Sequence, residues 1–230
     1  MKVRTTVSLL AAAAILFFGA LRVNAMSDVV DRIVATVNGH VILQSELDEE
    51  LRYEAILSGR QPSDFTEDEK KAALDRLIDQ ELLAEQMATS AFARCSEPEA
   101  ESKIAESRKQ SANESDGAWQ AALNQFHLSE KDVVAHVRRQ VDLSRLVEAR
   151  LRPAVQIDTQ SVEAYYREKF VPQLQKAGTA KVALDDVSDK IRDLLTEEKV
   201  NELLVSWLHT LRSEGDVKVN DQASSAQEMR

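Results

Sequence analysis

Between residues 45 and 211, apolar side chains return every three or four positions in one stretch after another, a spacing that commits most of the chain to amphipathic helices packed on one another. Leu47, Leu51, Ala55 and Leu57 follow a candidate Ser45 cap with Asp48 three positions on, and Gly59 and Pro62 stop that helix. Thr66 and Glu69 form a capping-box pattern, after which Leu74, Leu77, Ile78, Leu82 and Leu83 predict a helix to about Ala93. Ser96 with Glu99 opens a third helix to about Gln110, so polar that it should lie outside the core. A loop is expected over 113–117. Trp119, Ala122, Leu123 and Phe126 then mark a short helix ending near His127. Leu128, before a Ser129 cap, can staple onto Val133, and Val134, Val137, Val141, Leu146, Val147 and Leu151 carry a long helix to Pro153. Ile157 and Val162 flank an Asp158 cap, and Tyr165, Tyr166 and Phe170 sit on the helix that follows.

Two features interrupt the helical pattern. Arg32 to Val37 and His40 to Leu43 read as strands joined by Asn38-Gly39, a pair that favours a type I′ turn with positive φ at both positions. A two-stranded hairpin alone is marginal in water, so a third strand or a helix must cover it. Residues 171–184, with Pro172 and Gly178, read as a connection. Helical spacing returns from Val187 through Ile191, Leu194 and Leu195 to Leu203, Leu204, Trp207, Leu208 and Leu211, and Gly215 ends it. Asp216 to Val219 alternates polar and apolar residues, as a short edge strand does. Residues 220–230 are polar and expected to be disordered. The expected fold class is mainly α, a helical bundle with a small sheet.

At the N-terminus, Lys2 and Arg4 precede an apolar run from Val7 to Leu21 and then Val23-Asn24-Ala25, the layout of a cleavable signal peptide over residues 1–25. The run is shorter than the roughly 20 residues a spanning helix needs, so cleavage after Ala25, or after Ala20, is expected rather than stable membrane insertion. Without Lys2, Arg4 and Arg22 the formal net charge falls from −10 to −13, which makes nucleic acid a poor partner and suits a solvated exterior. Cys95 is the single cysteine, so no internal disulfide can form, and it is assigned no function. The histidines at 40, 127, 136 and 209 lie far apart in sequence, and the six glycines never cluster, so neither a metal site nor a phosphate-cradling loop is expected, and no cofactor. The acidic runs Asp48-Glu49-Glu50 and Asp185-Asp186 read as cap and surface charge.

The stretch from Val30 to Leu47, VDRIVATVNGHVILQSEL, closely resembles the opening of SurA-like periplasmic chaperones. The likeness continues through the Leu74 to Leu83 helix, the loop before Trp119, the Leu128 to Leu151 helix and the Val162 to Phe170 helix. It resumes at Ile191-Arg192, Leu195, Lys199, Trp207-Leu208, Leu211-Arg212 and Val217. The resemblance implies that the C-terminal strand returns to the N-terminal hairpin as an antiparallel sheet. It divides the chain into a chaperone region over 26–170, a short connection over 171–184 and a closing helix and strand over 185–219. Relatives in this family usually carry parvulin prolyl isomerase domains between the two regions. Such a domain needs on the order of 100 residues, so none is expected within this connection.

The resemblance implies an ATP-independent holdase that binds unfolded or partly folded envelope or outer-membrane proteins in an apolar groove between helices, in the periplasm. Tyr165, Tyr166 and Phe170 are the candidate client-binding residues, because they stand just before the short connection. Two other readings compete: a prolyl isomerase by family membership, and an adaptor for one folded partner. Exchange of the closing helix and strand between two chains, giving a domain-swapped homodimer, is a further expectation.

Overall fold

The chain enters its fold through two strands, β1 (Ile33–Val37) and β2 (His40–Leu43), paired antiparallel. The structure, a computed structural model, describes residues 31–109, 115–178, 180 and 182–220. The signal-peptide reading of 1–25 therefore lies outside the described residues, as does the tail beyond Asn220. Asn38 and Gly39 have φ of 50° and 88°, the two positive values that a type I′ turn requires. A register shift between Ile33 and Ala35 bulges the start of β1.

Seven helices follow among the described residues. They are α1 (Gln44–Ser58), α2 (Glu67–Met87), α3 (Glu97–Lys109), α4 (Asp116–Gln125) and α5 (Glu130–Leu151), then α6 and α7. Helix α6 begins as Thr159–Tyr165, widens through a π-helical stretch over Tyr166–Phe170 and resumes as Val171–Lys176. Helix α7 (Leu184–Glu214) leads into β3 (Val217–Val219), which pairs antiparallel with β1 and gives the sheet order β2-β1-β3.

Most helix starts obey the expected chemistry. Thr66 Oγ1 accepts from the Glu69 N–H while Glu69 accepts from the Thr66 N–H, and Ser129 does the same with Asp132. Asp158 accepts from the Ser161 N–H at 2.7 Å. Helix α1 departs from its expected cap: β2 runs straight into it, and the Gln44 N–H still bonds the Arg32 carbonyl at 2.7 Å. Ser45 is thereby drawn inside the first turn, and the Glu46 carboxylate instead accepts the Leu43 N–H at 2.7 Å.

Three other boundaries differ from expectation for local reasons. Helix α2 ends at Met87 rather than Ala93. There the Arg94 guanidinium bonds the Met87 carbonyl at 2.9 Å and lies 4.4 Å over the Phe92 ring, and the Ser90 hydroxyl competes for the Gln86 carbonyl. Gly117, placed in a loop by the sequence, is in the first turn of α4 because Ser115 caps the Ala118 N–H; positions 113–114 lie outside the described residues. Residues 171–176, read as connection, are helical: the Val171 N–H reaches back five residues to Tyr166, and this wider turn accommodates Pro172, which lacks an N–H and would crowd the carbonyl four residues back in an ordinary helix. The connection between α6 and α7 shrinks to 177–183. Asn220, read as tail, donates its N–H to Val34 at 2.9 Å and so prolongs the β3 pairing.

Among the described residues, four apolar clusters share the helices between them. The first joins α1, α4 and α5 around Tyr53, Trp119, Leu123 and Phe126. The second packs Val34, Val37 and Ile42 of the sheet on Ile78 and Leu82 of α2, which supplies the cover a hairpin needs. The third seats Leu83, Leu143 and Leu146 against Trp207, Leu208 and Leu211 of α7. The fourth gathers α6 and the start of α7 around Val162, Tyr166 and Ile191. Helix α3 is mostly exposed, as its composition predicts, but Ala100 is buried and Ile104 packs on the first cluster.

Two contacts lock the closing segment. Arg212 of α7 donates to Asp79 at 2.6 Å and to the Asp75 side chain and carbonyl on α2. Asn38, in the hairpin turn, accepts the Asp216 N–H at 2.8 Å and donates to Glu85 at 2.7 Å, while its own N–H bonds the Asp216 carbonyl. Gly215 stands close to the turn: a Cβ there would lie 3.0 Å from Asn38 Oδ1 and 3.0 Å from the Leu211 carbonyl, so a side chain would press on both.

Replacing Asn38 by Ala should cost about 1–2 kcal/mol in urea denaturation, because two side-chain hydrogen bonds vanish. Asn38→Gly, which suits the positive φ, should cost less. Leu146→Ala, in the third cluster, should cost roughly 3 kcal/mol by the same measurement.

Candidate functional site

Two concavities open between the helices, and one aromatic pair parts them. The first, of about 400 Å³, lies between β2, α1, α2 and α5. Its acids are Glu46, Glu49, Glu50, Glu81 and Asp132, and its bases are His40, His136 and Arg139. The second, of about 220 Å³, lies between α1, α3, α4 and α5; Ile56, Leu57, Ile104, Trp119, Val133 and Val137 wall it, with Lys103 and Arg108 beside them.

Tyr53 and His136 line both concavities. Their rings stack with centroids 3.9 Å apart and planes 25° from parallel. The Tyr53 hydroxyl donates to Glu49 at 2.8 Å, and burial, then that carboxylate, pushes its pKa well above the ordinary phenol value. Burial, followed by the positive charge of Arg139, lowers the His136 pKa to about 4, so the ring is neutral near neutral pH. Its Nδ1 lies 3.6 Å from a carboxylate oxygen of Glu50. Glu50 is only 8 % exposed, and its pKa is raised by burial first and by the Glu54 charge second, against the pull of Arg76, Arg139 and a hydrogen bond from Gln80. Burial thus disfavours the charged forms of three groups at the partition, Tyr53, His136 and Glu50.

The sequence placed Glu50 among surface charges, and the structure corrects this: the residue faces inward from α1, three positions before Tyr53. That spacing was visible along the helix. The arrival of His136 from α5, and of His40 from β2 in the same cleft, was not, because only packing brings these elements together. The described aromatic residues sort as core at Tyr53, Phe65, Trp119, Phe126 and Tyr166, and as half-buried at Phe92, Tyr165, Phe170 and Trp207.

The three residues singled out from the sequence sit together, but in neither concavity. Tyr166 is a core residue of the fourth cluster, its hydroxyl donating to the Val182 carbonyl at 2.5 Å and its ring 5.9 Å from that of Phe170. Tyr165 and Phe170 pack half-buried around it. These side chains pack the end of α6 onto the start of α7.

Among the described residues there is no group of three or more His, Cys, Asp or Glu side chains placed to hold a metal ion, and no helix long and apolar enough to cross a membrane. Cys95 is buried, its thiol pKa pushed up by that burial, and its N–H is held by Asp142 at 2.7 Å. An apolar cavity with a charged cleft next to it is suited to gripping an apolar side chain while polar neighbours stay hydrated.

These features define a helical module closed by a small antiparallel sheet. The chain belongs to the family of the SurA-like N-terminal domain, which matches residues 2–147; that family is of a periplasmic chaperone type. The match takes in every residue lining the two concavities and ends before α6, α7 and β3. No parvulin domain family is detected in the chain. No curated protein matches it.

Because His136 titrates at about 4 in the fold and near 6.5 when unfolded, its contribution to stability is present above about pH 6.5 and drains as the pH falls toward 4. His136→Phe, which keeps the stack, should show a shallower loss of denaturation midpoint across that interval than the parent chain. Glu50 acts in the opposite sense, so Glu50→Gln should raise the midpoint at neutral pH and leave it unchanged below about pH 4.

Proposed function

We propose that the protein is an ATP-independent holdase of the bacterial periplasm, binding unfolded or partly folded envelope and outer-membrane proteins through the apolar concavity between α1, α3, α4 and α5. The observation that carries this reading is that cavity, which opens within the family-matched region and has Leu57 exposed at its wall to 71 %. An apolar hollow of about 220 Å³ has room for one large side chain at a time, so each grip on a client is weak and reversible. That is what suppression of aggregation needs, and it requires no chemical step.

The periplasmic placement rests on the basic and apolar pattern of residues 1–25. The isomerase reading is disfavoured at the place where relatives carry that domain, because the 177–183 connection is far shorter than the roughly 100 residues such a domain needs. Within one chain β3 already completes the sheet, which supports a monomer as the working unit. A light-scattering mass near twice 25.7 kDa would point instead to exchange of α7 and β3 between two chains.

The purified protein should slow the light scattering of a diluted, denatured outer-membrane protein at near-stoichiometric ratios, with prolyl isomerisation of a test peptide no faster than background. Leu57→Glu should weaken that suppression severalfold without lowering the denaturation midpoint, while Phe170→Ala should leave it intact. Catalysed isomerisation would revive the enzyme reading, and inactivity in both assays the adaptor.

A further inference from the structure

A third concavity, of about 470 Å³, lies where the sheet meets α1 and the start of α2, and it shares no lining residue with the two clefts above. Val34, Leu51, Leu74 and Val219 give it apolar walls. Its charge runs against that of the chain: four cations, Arg32, Arg52, Lys70 and Lys71, face two carboxylates, Asp48 and Glu67, in a protein of net charge −10. Lys70 is engaged by Glu67 at 2.8 Å and Arg32 by Gln44 at 2.8 Å. Among the described residues Arg52 and Lys71 make no ion pair, and Arg52 Nε is buried with no acceptor for its N–H. That N–H is shut away from solvent, while the Arg52 side chain also lines the concavity, where its charge can meet an incoming carboxylate.

The second observation is an open sheet edge at the same place. β3 is the outermost strand on its side of the sheet. The Asn220 N–H bonds Val34 at 2.9 Å and the Asp216 carbonyl accepts from Asn38 at 3.0 Å, so positions 216, 218 and 220 turn their main-chain groups toward β1. By alternation, Val217 and Val219 turn their N–H and carbonyl groups outward, and among the described residues no further strand of the sheet takes them up. Val219, at the wall of the concavity, is 48 % exposed. Such an edge is a template for one more strand.

We infer that β3 and this concavity receive an extended polypeptide segment as a fourth strand, one that carries an apolar side chain and a carboxylate two positions apart. Residues two apart on a strand share a face. The apolar member then lies on Leu51, Leu74 and Val219, and the carboxylate meets Arg52 and Lys71. The charge of the site selects acidic over basic segments, and the alternation of outward main-chain groups selects an extended backbone free of proline at the pairing positions. This docking place does not depend on the holdase reading.

The probe is a fluorescein-labelled peptide of about ten residues, built from Val, Thr and Glu with Val and Glu two positions apart, titrated with the full chain by fluorescence anisotropy. Binding should weaken about tenfold for the Arg52→Gln/Lys71→Gln variant and for a peptide with Lys in place of Glu. Methylating the peptide's backbone nitrogens on one alternating set should abolish binding, and on the other set should leave it unchanged. Absence of binding, equal binding of the Lys peptide, or indifference to both methylation patterns would overturn the inference. The methylation arms use the unaltered chain, so they decide the matter even where the double variant fails to fold. A double variant that loses the peptide yet still suppresses client aggregation separates this site from the holdase cavity.

Discussion

The return of β3 to β1 is the constraint on which the rest of the module depends. Asn38 and Asp216 are 178 positions apart, and their hydrogen bonds bring the hairpin turn and the end of α7 to one point. Closing so long a loop costs entropy that two exposed hydrogen bonds cannot repay. The return is held because the 31-residue α7 lies along α2 and α5 on the way, burying Ile191 and Val200 and packing Trp207, Leu208 and Leu211 on the third cluster. Each fully buried aliphatic side chain contributes about 1.5–3 kcal/mol, and Arg212 fixes the register of that packing on α2.

With the closing helix in place, α2 becomes the axis of the module, contributing to three of the four apolar clusters. The N-terminal hairpin, which has no core of its own, is buried against it. The concavities lie where helices of unequal length and polarity meet this axis or the helices beside it. At their divide, the fold tolerates a buried carboxyl and a buried imidazole beside each other, an arrangement that costs stability at one end of the pH range or the other. Tyr53 shares the burden by stacking on His136 and bonding Glu49.

Much of this was legible along the chain. The Asn38-Gly39 turn, the Thr66, Ser129 and Asp158 caps, and the αL stop at Gly59 follow from local chemistry, and they stand where that chemistry puts them. Where boundaries differ from the pattern, local bonding outcompeted it: Arg94 ends α2 early, Ser115 draws Gly117 into α4, and a π-helical backbone turn carries α6 through Pro172. The site was less legible than the fold. Tyr165, Tyr166 and Phe170 stand before a short connection along the chain, and their packing with Ile191 and Leu195 depends on a separate helix that begins at Leu184.

By itself, the sequence determined the number and polarity of most helices, the hairpin turn, the single unpaired cysteine and the acidic exterior, because each is set by residues within a few positions of one another. The tertiary structure alone decided which acidic residue is buried, which histidine meets which tyrosine, and which strand stands at the edge of the described sheet beside Arg52 and Lys71. Those outcomes turn on how far-separated helices cross, and side-chain periodicity along one helix carries no information about the partner that will face it.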